Sequence, residues 1–357
     1  MRRRKLLGAL GGATLGGLAG CAGLFETRSD RAPSLAENRS NAVYYPTHVE
    51  GMKMTGGMQS SGSYKCALSY TFPHRFWLVT ASRREKVDIQ NNDSIHLMPV
   101  VWEAETGIVP PDINPQVSIT QDGESVTELS PWPMLSQPMS FHFGDNVQLG
   151  GDGTYQVEVR IGSPSTRRTG SLADNQGQAS FTFEFEFQQS TLEEVMFRDI
   201  PSDQEGTEGA VDAMSMDMVP WPASTQVPEE GDLPGTVRGS ATSGDAPFVV
   251  TTLSDATPFD GGENETYLAV SPRTPYNRYM LPMMSLSGTL TRGNETIFDG
   301  ALQSTIDPEL SYHYGAVVSS VESGDELTIT VDSPPQTARH EGYETAFFEM
   351  DEMTMSL

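Results

Sequence analysis

The chain of 357 residues holds only two cysteines, Cys21 and Cys66. A disulfide framework of the kind that staples small exported domains is therefore excluded. Basic residues are scarce as well: 22 Lys and Arg stand against 48 Asp and Glu, a formal net charge of −26. Such a surface has no positive patch with which to displace counterions from a phosphate backbone, so no nucleic acid partner is expected. The local signatures of common enzymes are missing too. There is no Gly-x-Ser-x-Gly elbow, no phosphate-cradling Gly-rich loop followed by Lys, no dinucleotide fingerprint and no Cys-x-x-Cys pair. The chain is expected not to be an enzyme.

What is present begins at the N-terminus. Arg2, Arg3, Arg4 and Lys5 precede a Gly/Ala/Leu run that stops at Leu18-Ala19-Gly20-Cys21. The run is too short and glycine-rich for a comfortable membrane span. Residues 1–20 are similar to a twin-arginine export signal ending in a lipobox, with Cys21 as the lipidated new N-terminus. A retained membrane helix is the competing reading, and both put the rest of the chain outside. The expected location is the extracellular face of the cell membrane, lipid-anchored. Loss of residues 1–20 removes those four cations and turns the net charge into −30. An acidic chain with few lysines and many aromatics reads as a halophilic surface protein rather than a disordered one.

Residues 21–42 are polar and read as a lipidated tether. From residue 43 short alternating segments follow. Gln116–Thr120, Tyr155–Ile161 and Phe181–Phe187 carry a period of two, separated by turn-formers such as Gln121-Asp122-Gly123. This is an all-β sandwich pattern. Cys66 sits in one such run and reads as a small core residue. Residues 191–245 are acidic and rich in Pro and Gly, and read as linker and loops. The pattern then returns as a copy. Ser140-Phe141-His142-Phe143-Gly144 matches Ser311-Tyr312-His313-Tyr314-Gly315, and Ser163-Pro164 follows the first histidine at nearly the spacing of Ser333-Pro334 after the second. Phe76–Thr80 pairs with Phe248–Thr252, and Phe181–Phe187 with Ala346–Glu349. The expectation is two tandem immunoglobulin-like β-sandwiches, 43–190 and 246–357, related by duplication and packed as a pseudo-dimer. One large sandwich is the alternative.

Six histidines remain for chemistry: His48, His74, His96, His142, His313 and His340. His48 and His74 read as ordinary loop or strand histidines. In Pro133-Met134 followed by Phe141-His142 a thioether and an imidazole share one short stretch, and that pair suits copper(I) or a copper–iron compromise. Here the chain resembles the periplasmic ferrous-iron transport proteins. Asp93-Ser94-Ile95-His96, Pro133-Met134, Phe141-His142-Phe143-Gly144-Asp145-Asn146-Val147 and Gly153-Thr154-Tyr155-Gln156-Val157 follow that family's order, and Arg339-His340 precedes the last strand.

The resemblance implies a dimeric immunoglobulin-like binder of iron or copper that accompanies an iron permease. It departs at Asn92, where the family has an acid, at Arg167-Arg168 in place of a late histidine, and at Tyr267 and Thr305 in the second copy. The expected metal ligands are His96, Met134 and His142, completed across the pseudo-dimer by His340, with His313 as a relic. Two alternatives stand beside this: a structural or adhesive sandwich without metal, and a copper(I) scavenger using the methionine pairs Met52/Met54, Met214/Met216/Met218 and Met353/Met355.

Overall fold

The computed structural model describes residues 33–174, 177–216, 219–220 and 223–357. The export signal 1–20, Cys21, most of the tether and Met218 lie outside the described residues. No helix among the described residues is long and apolar enough to cross a membrane.

Alternation along the chain produces strands wherever one face can be buried. In Ala179–Phe187 every second residue is buried and every other is exposed. Ile95–Glu103 is buried at all nine positions, as befits a strand covered on both faces. The fold is all-β, with one five-residue α-helix, Gln189–Glu193, among the described residues. Cys66 is a buried core residue beside Tyr64, Leu68 and Val101.

In the first half, Lys53–Ser61, Tyr64–Thr71, Ile95–Glu103, Ser140–Val147 and Trp132–Ser136 lie side by side in that order. A second sheet runs Ala179–Phe187, Gly153–Ile161, Gln116–Gln121, Glu124–Leu129. In the second half, Thr236–Ser243, Ala246–Leu253, Thr266–Pro272 and Ser311–Val318 lead to the long strand Glu295–Asp307. That strand continues into a sheet with Ser285–Arg292, Glu326–Ser333 and Met353–Ser356. Ser140 and Ser311, at matching places, both hold a left-handed backbone, with φ of 54° and 59°.

Two boundaries and two strand correspondences differ from the sequence reading. From Ala36, which is buried, the supposed tether already packs on the body, and Arg39 pairs with Glu344 at 3.2 Å. Thr236–Ser243, inside the supposed linker, is an antiparallel edge strand. Phe248–Thr252 occupies the place in its sheet that Tyr64–Thr71 holds in the first. Phe76–Thr80 instead forms a hairpin with Arg83–Val87. The edge matched by Phe181–Phe187 is held by Met353–Ser356, because Ala346–Glu349 is a turn.

The halves exchange short strands. Arg167–Arg168 runs parallel to Glu295–Asp307, Arg167 opposite Thr305, while Ala338–Arg339 runs parallel to Trp132–Ser136, Ala338 opposite Met134. Backbone bonds extend each crossing: Thr169 N–H donates to Ile306 O at 3.1 Å, and His340 N–H to Leu135 O at 2.9 Å. The side chain of Arg339 is fully buried, and donates to Thr337 O and Pro335 O, locking its own turn.

Candidate metal centre

The exchange of strands delivers His340 to residues about two hundred positions and more upstream. Met134 and His142 are cross-strand partners in antiparallel register, so both side chains leave the same face. His142, Gly144 and Asn146 share that face by the period of two. Asn146 is in turn the cross-strand partner of His96. Phe141 and Phe143, on the other face, are buried in the main core.

The donor atoms of His96, His142 and His340 lie within 4.8 Å of one another, and His340 Nε2 is 3.3 Å from the Met134 sulfur. The four expected ligands are thus brought together, three from the first half and one from the second. His96, Met134 and His142 are buried. His340 lines a surface pocket together with His74 and Glu50.

Neighbouring groups decide which nitrogen of each ring faces inward. Asn146 is oriented by its hold on the His74 backbone: its Nδ2 donates to His74 O at 2.7 Å and its Oδ1 accepts from His74 N–H at 3.0 Å. The same Oδ1 lies 2.9 Å from His96 Nδ1, which must then carry the proton, leaving Nε2 with its lone pair. His142 Nδ1 lies 3.1 Å from Ser140 O, an acceptor, so His142 Nε2 is likewise the lone-pair nitrogen. The buried His96 Nε2 has no hydrogen-bond partner. Gly144 keeps the space beside it open, since a Cβ there would lie 2.5 Å from that nitrogen.

Burial also keeps the rings neutral. It lowers His96 to about 4, and lowers His142, with help from nearby His96, to about 3. His340 and His74 are held well below the ordinary imidazole range, first by burial and then by neighbouring imidazoles, His74 foremost for His340 and His96 foremost for His74. A cluster of neutral imidazoles and one thioether offers lone pairs without first releasing protons, as a borderline or soft first-row ion requires.

Two participants escaped the sequence. His74, read as an ordinary histidine, packs its ring 5.0 Å from His96 and 5.2 Å from His340, centroid to centroid. Nothing in its loop sequence signals this. Asn146 could have been found, since it stands two strand periods after His142.

At the matching place in the second half, Tyr267 and Thr305 stand where His96 and Met134 stand in the first. His313 Nδ1 bonds Ser311 O at 3.0 Å, as His142 bonds Ser140 O, but its Nε2 accepts from Tyr267 OH at 3.0 Å. Arg167 donates to Tyr267 OH and to Thr305 Oγ1, both at 3.2 Å. A guanidinium therefore fills this place, and the lone pair of His313 is taken. The residue at the position of His340 is Thr169, one beyond the Arg167-Arg168 pair named from sequence. Of the methionine pairs, Met52, Met54, Met216 and Met355 pack against the main core, and Met353 is part of it.

The site is thus a histidine–methionine centre on an all-β scaffold, with donors of the kind transition-metal ions take. Residues 86–192 match the Fe2+ transport protein family, and residues 231–356 match a Domain of unknown function (DUF7350). Over that first segment, less than a third of its length, the chain is similar to the Fe2+ transport proteins. No curated protein matches the chain. Similar solved structures include FetP of uropathogenic E. coli strain F11 (17% identity, 38% of this chain and 96% of that one, TM-score 0.29). Copper-reconstituted P19 from Campylobacter jejuni is another (16% identity, 38% and 96%, TM-score 0.30). A copper-bound variant of that FetP is similar at the same level (17%, 38% and 97%, 0.29).

Proposed function

We propose that this chain is an exported, non-enzymatic metal carrier that binds ferrous iron and/or copper at His96, Met134, His142 and His340. The carrying observation is the convergence of three neutral imidazoles and a thioether, drawn from both halves, on one buried point. The Fe2+ transport family match over 86–192 supports iron as cargo. Neutral donors suit both ferrous iron and copper(I), and the thioether tilts the preference toward copper.

Export and anchoring through Cys21, and delivery to a membrane importer such as an iron permease, complete the proposal. A cargo protein tethered outside the membrane would raise the local metal concentration at its importer. Cys21→Ser is expected to release the protein into the medium or leave it unprocessed, and unchanged membrane retention would count against the anchor. The two halves are further proposed to be duplicated immunoglobulin-like sandwiches packed as a pseudo-dimer. Their matching strand orders and the reciprocal exchange of short strands support this.

Metal analysis of protein purified without chelator tests the function. We expect iron or copper in the parent and its loss in His142→Ala and His340→Ala. A metal-free parent that takes up neither ion on titration would instead favour a structural or adhesive role.

A further inference from the structure

The inner centre has four neutral ligands and no carboxylate, yet one buried carboxyl group stands just outside it. Glu50, 9% exposed, lies on the short strand His48–Glu50, which pairs with Phe197–Asp199. His48 Nε2 lies 3.5 Å from one of its oxygens and His74 Nε2 lies 3.6 Å from the other. Glu50 Oε2 has no hydrogen-bond partner. All three side chains line the same surface pocket as His340.

The arrangement is built rather than incidental. His48 stacks on Phe197 with ring centroids 4.9 Å apart and planes 16° apart, and its Nδ1 contacts Thr47 Oγ1 at 3.0 Å. The Nε2 edge is thereby turned toward Glu50. The backbone of His74 is clamped by Asn146, and its ring touches His96 and His340 on the inner side. The remaining charges at the mouth, Arg75 and Glu341, neutralise each other in an ion pair at 3.0 Å. Glu50 is left as the carboxylate available to a cation.

We propose that His48, Glu50 and His74 form a second cation site at the mouth of the pocket. It takes a divalent first-row ion before that ion reaches the inner centre. A carboxylate with two imidazoles is harder than three imidazoles with a thioether, so the outer site favours divalent ions and discriminates against copper(I). His74 is the shared wall: its Nε2 faces Glu50 and its ring packs on the inner imidazoles. These outer residues lie upstream of the segment that matches the Fe2+ transport family. The role as a way-station rests on the inner centre being a metal site, but the outer site binds a cation independently of it.

Cobalt(II) titration of the full chain, followed by its visible absorption and by equilibrium dialysis, separates the two. In a Met134→Leu/His340→Gln background, where the inner centre is crippled, one cobalt ion is expected to remain. Adding Glu50→Gln or His48→Asn should weaken that binding at least tenfold, with far-ultraviolet circular dichroism unchanged. His48 is partly exposed, so its variant serves should Glu50→Gln fail to fold. Retention of the remaining ion with undiminished affinity in both additions, or no ion at all in the background variant, overturns the outer site. If instead Met134→Leu/His340→Gln binds as many ions as the parent while Glu50→Gln loses one, the inner centre fails and the outer site stands.

Discussion

His340 Nε2 lies 3.3 Å from the sulfur of Met134, across 206 positions of sequence. The contact depends on the parallel pairing of Ala338–Arg339 with Trp132–Ser136, which carries a residue of one half into the other. His340→Ala is therefore expected to weaken metal binding by more than the roughly 10–100-fold typical of losing an outer-shell partner. Met134→Leu keeps the volume and removes only the soft donor. It should reduce copper(I) affinity more than ferrous affinity. Competition titrations with both ions check this, and equal losses for the two would remove the thioether from the ligand set.

Gly144 is a glycine because of the ring above it, not because of its backbone angles. A Cβ at that place would come within 2.5 Å of His96 Nε2 and 3.4 Å of His142 Cδ2. Gly144→Ala should push the His96 ring off its bond to Asn146. The overpacking is expected to cost about 1–3 kcal/mol of stability, with most metal affinity lost. Denaturant unfolding and metal titration measure the two effects; an alanine variant that binds metal like the parent would show that His96 Nε2 is not a ligand.

Acid should unfold the metal-free protein through its buried imidazoles. Burial holds His96 and His313 at about 4 and His142 at about 3, against 6.5 in the unfolded chain. Between those values the unfolded chain binds protons that the folded chain refuses, so stability falls as pH drops below about 6.5. Asp145 works in the opposite sense. Its carboxyl is raised by burial from 3.8 to about 6, so it adds stability as pH falls through that window. Asp245 and Glu344 are raised by burial in the same sense, but with His74 and His340 also lowered, five imidazoles outweigh these three carboxyls. Melting temperature without metal is expected to decline steadily from pH 6.5 to pH 4, and less steeply in His340→Ala. A flat profile would contradict the buried, neutral cluster.

Strands and ligands differed in how plainly the sequence declared them. Ala179–Phe187 announced itself because one face is buried and the other wet, which is what a period of two records. Ile95–Glu103 gave no such alternation, since both its faces are covered. His142 and Met134 were close in sequence and lay in a motif of ordered type. His340 was reachable only by comparing the two halves and asking which kept what the other lacked. His74 and Glu50 had no such partner in the second half. Their roles come from loop geometry and from the pairing of His48–Glu50 with Phe197–Asp199, which no local pattern encodes. The strand Thr236–Ser243 was hidden for a different reason. It is an edge strand made mostly of glycine, serine and threonine, and its composition looks like a loop.

The second half offers the strongest test of how the centre is made. Its strand order and its Ser-Tyr-His-Tyr-Gly segment match the first, but Tyr267, Thr305 and Thr169 stand in the places of His96, Met134 and His340. Arg167 occupies the space between them, held by Tyr267 OH and Thr305 Oγ1. A fixed guanidinium repels any cation, so Arg167→Ala alone should destabilise the fold and leave metal stoichiometry unchanged. The quadruple variant Arg167→Ala, Thr169→His, Tyr267→His and Thr305→Met should behave differently. With His313 already held by Ser311 O in the manner of His142, it restores three imidazoles and a thioether on the same register. One metal ion more than the parent is expected by equilibrium dialysis. If a folded quadruple variant binds no additional ion, the register equivalence between Thr169 and His340 is wrong. The inner centre must then depend on something the second half does not reproduce, with His74 the first group to transplant.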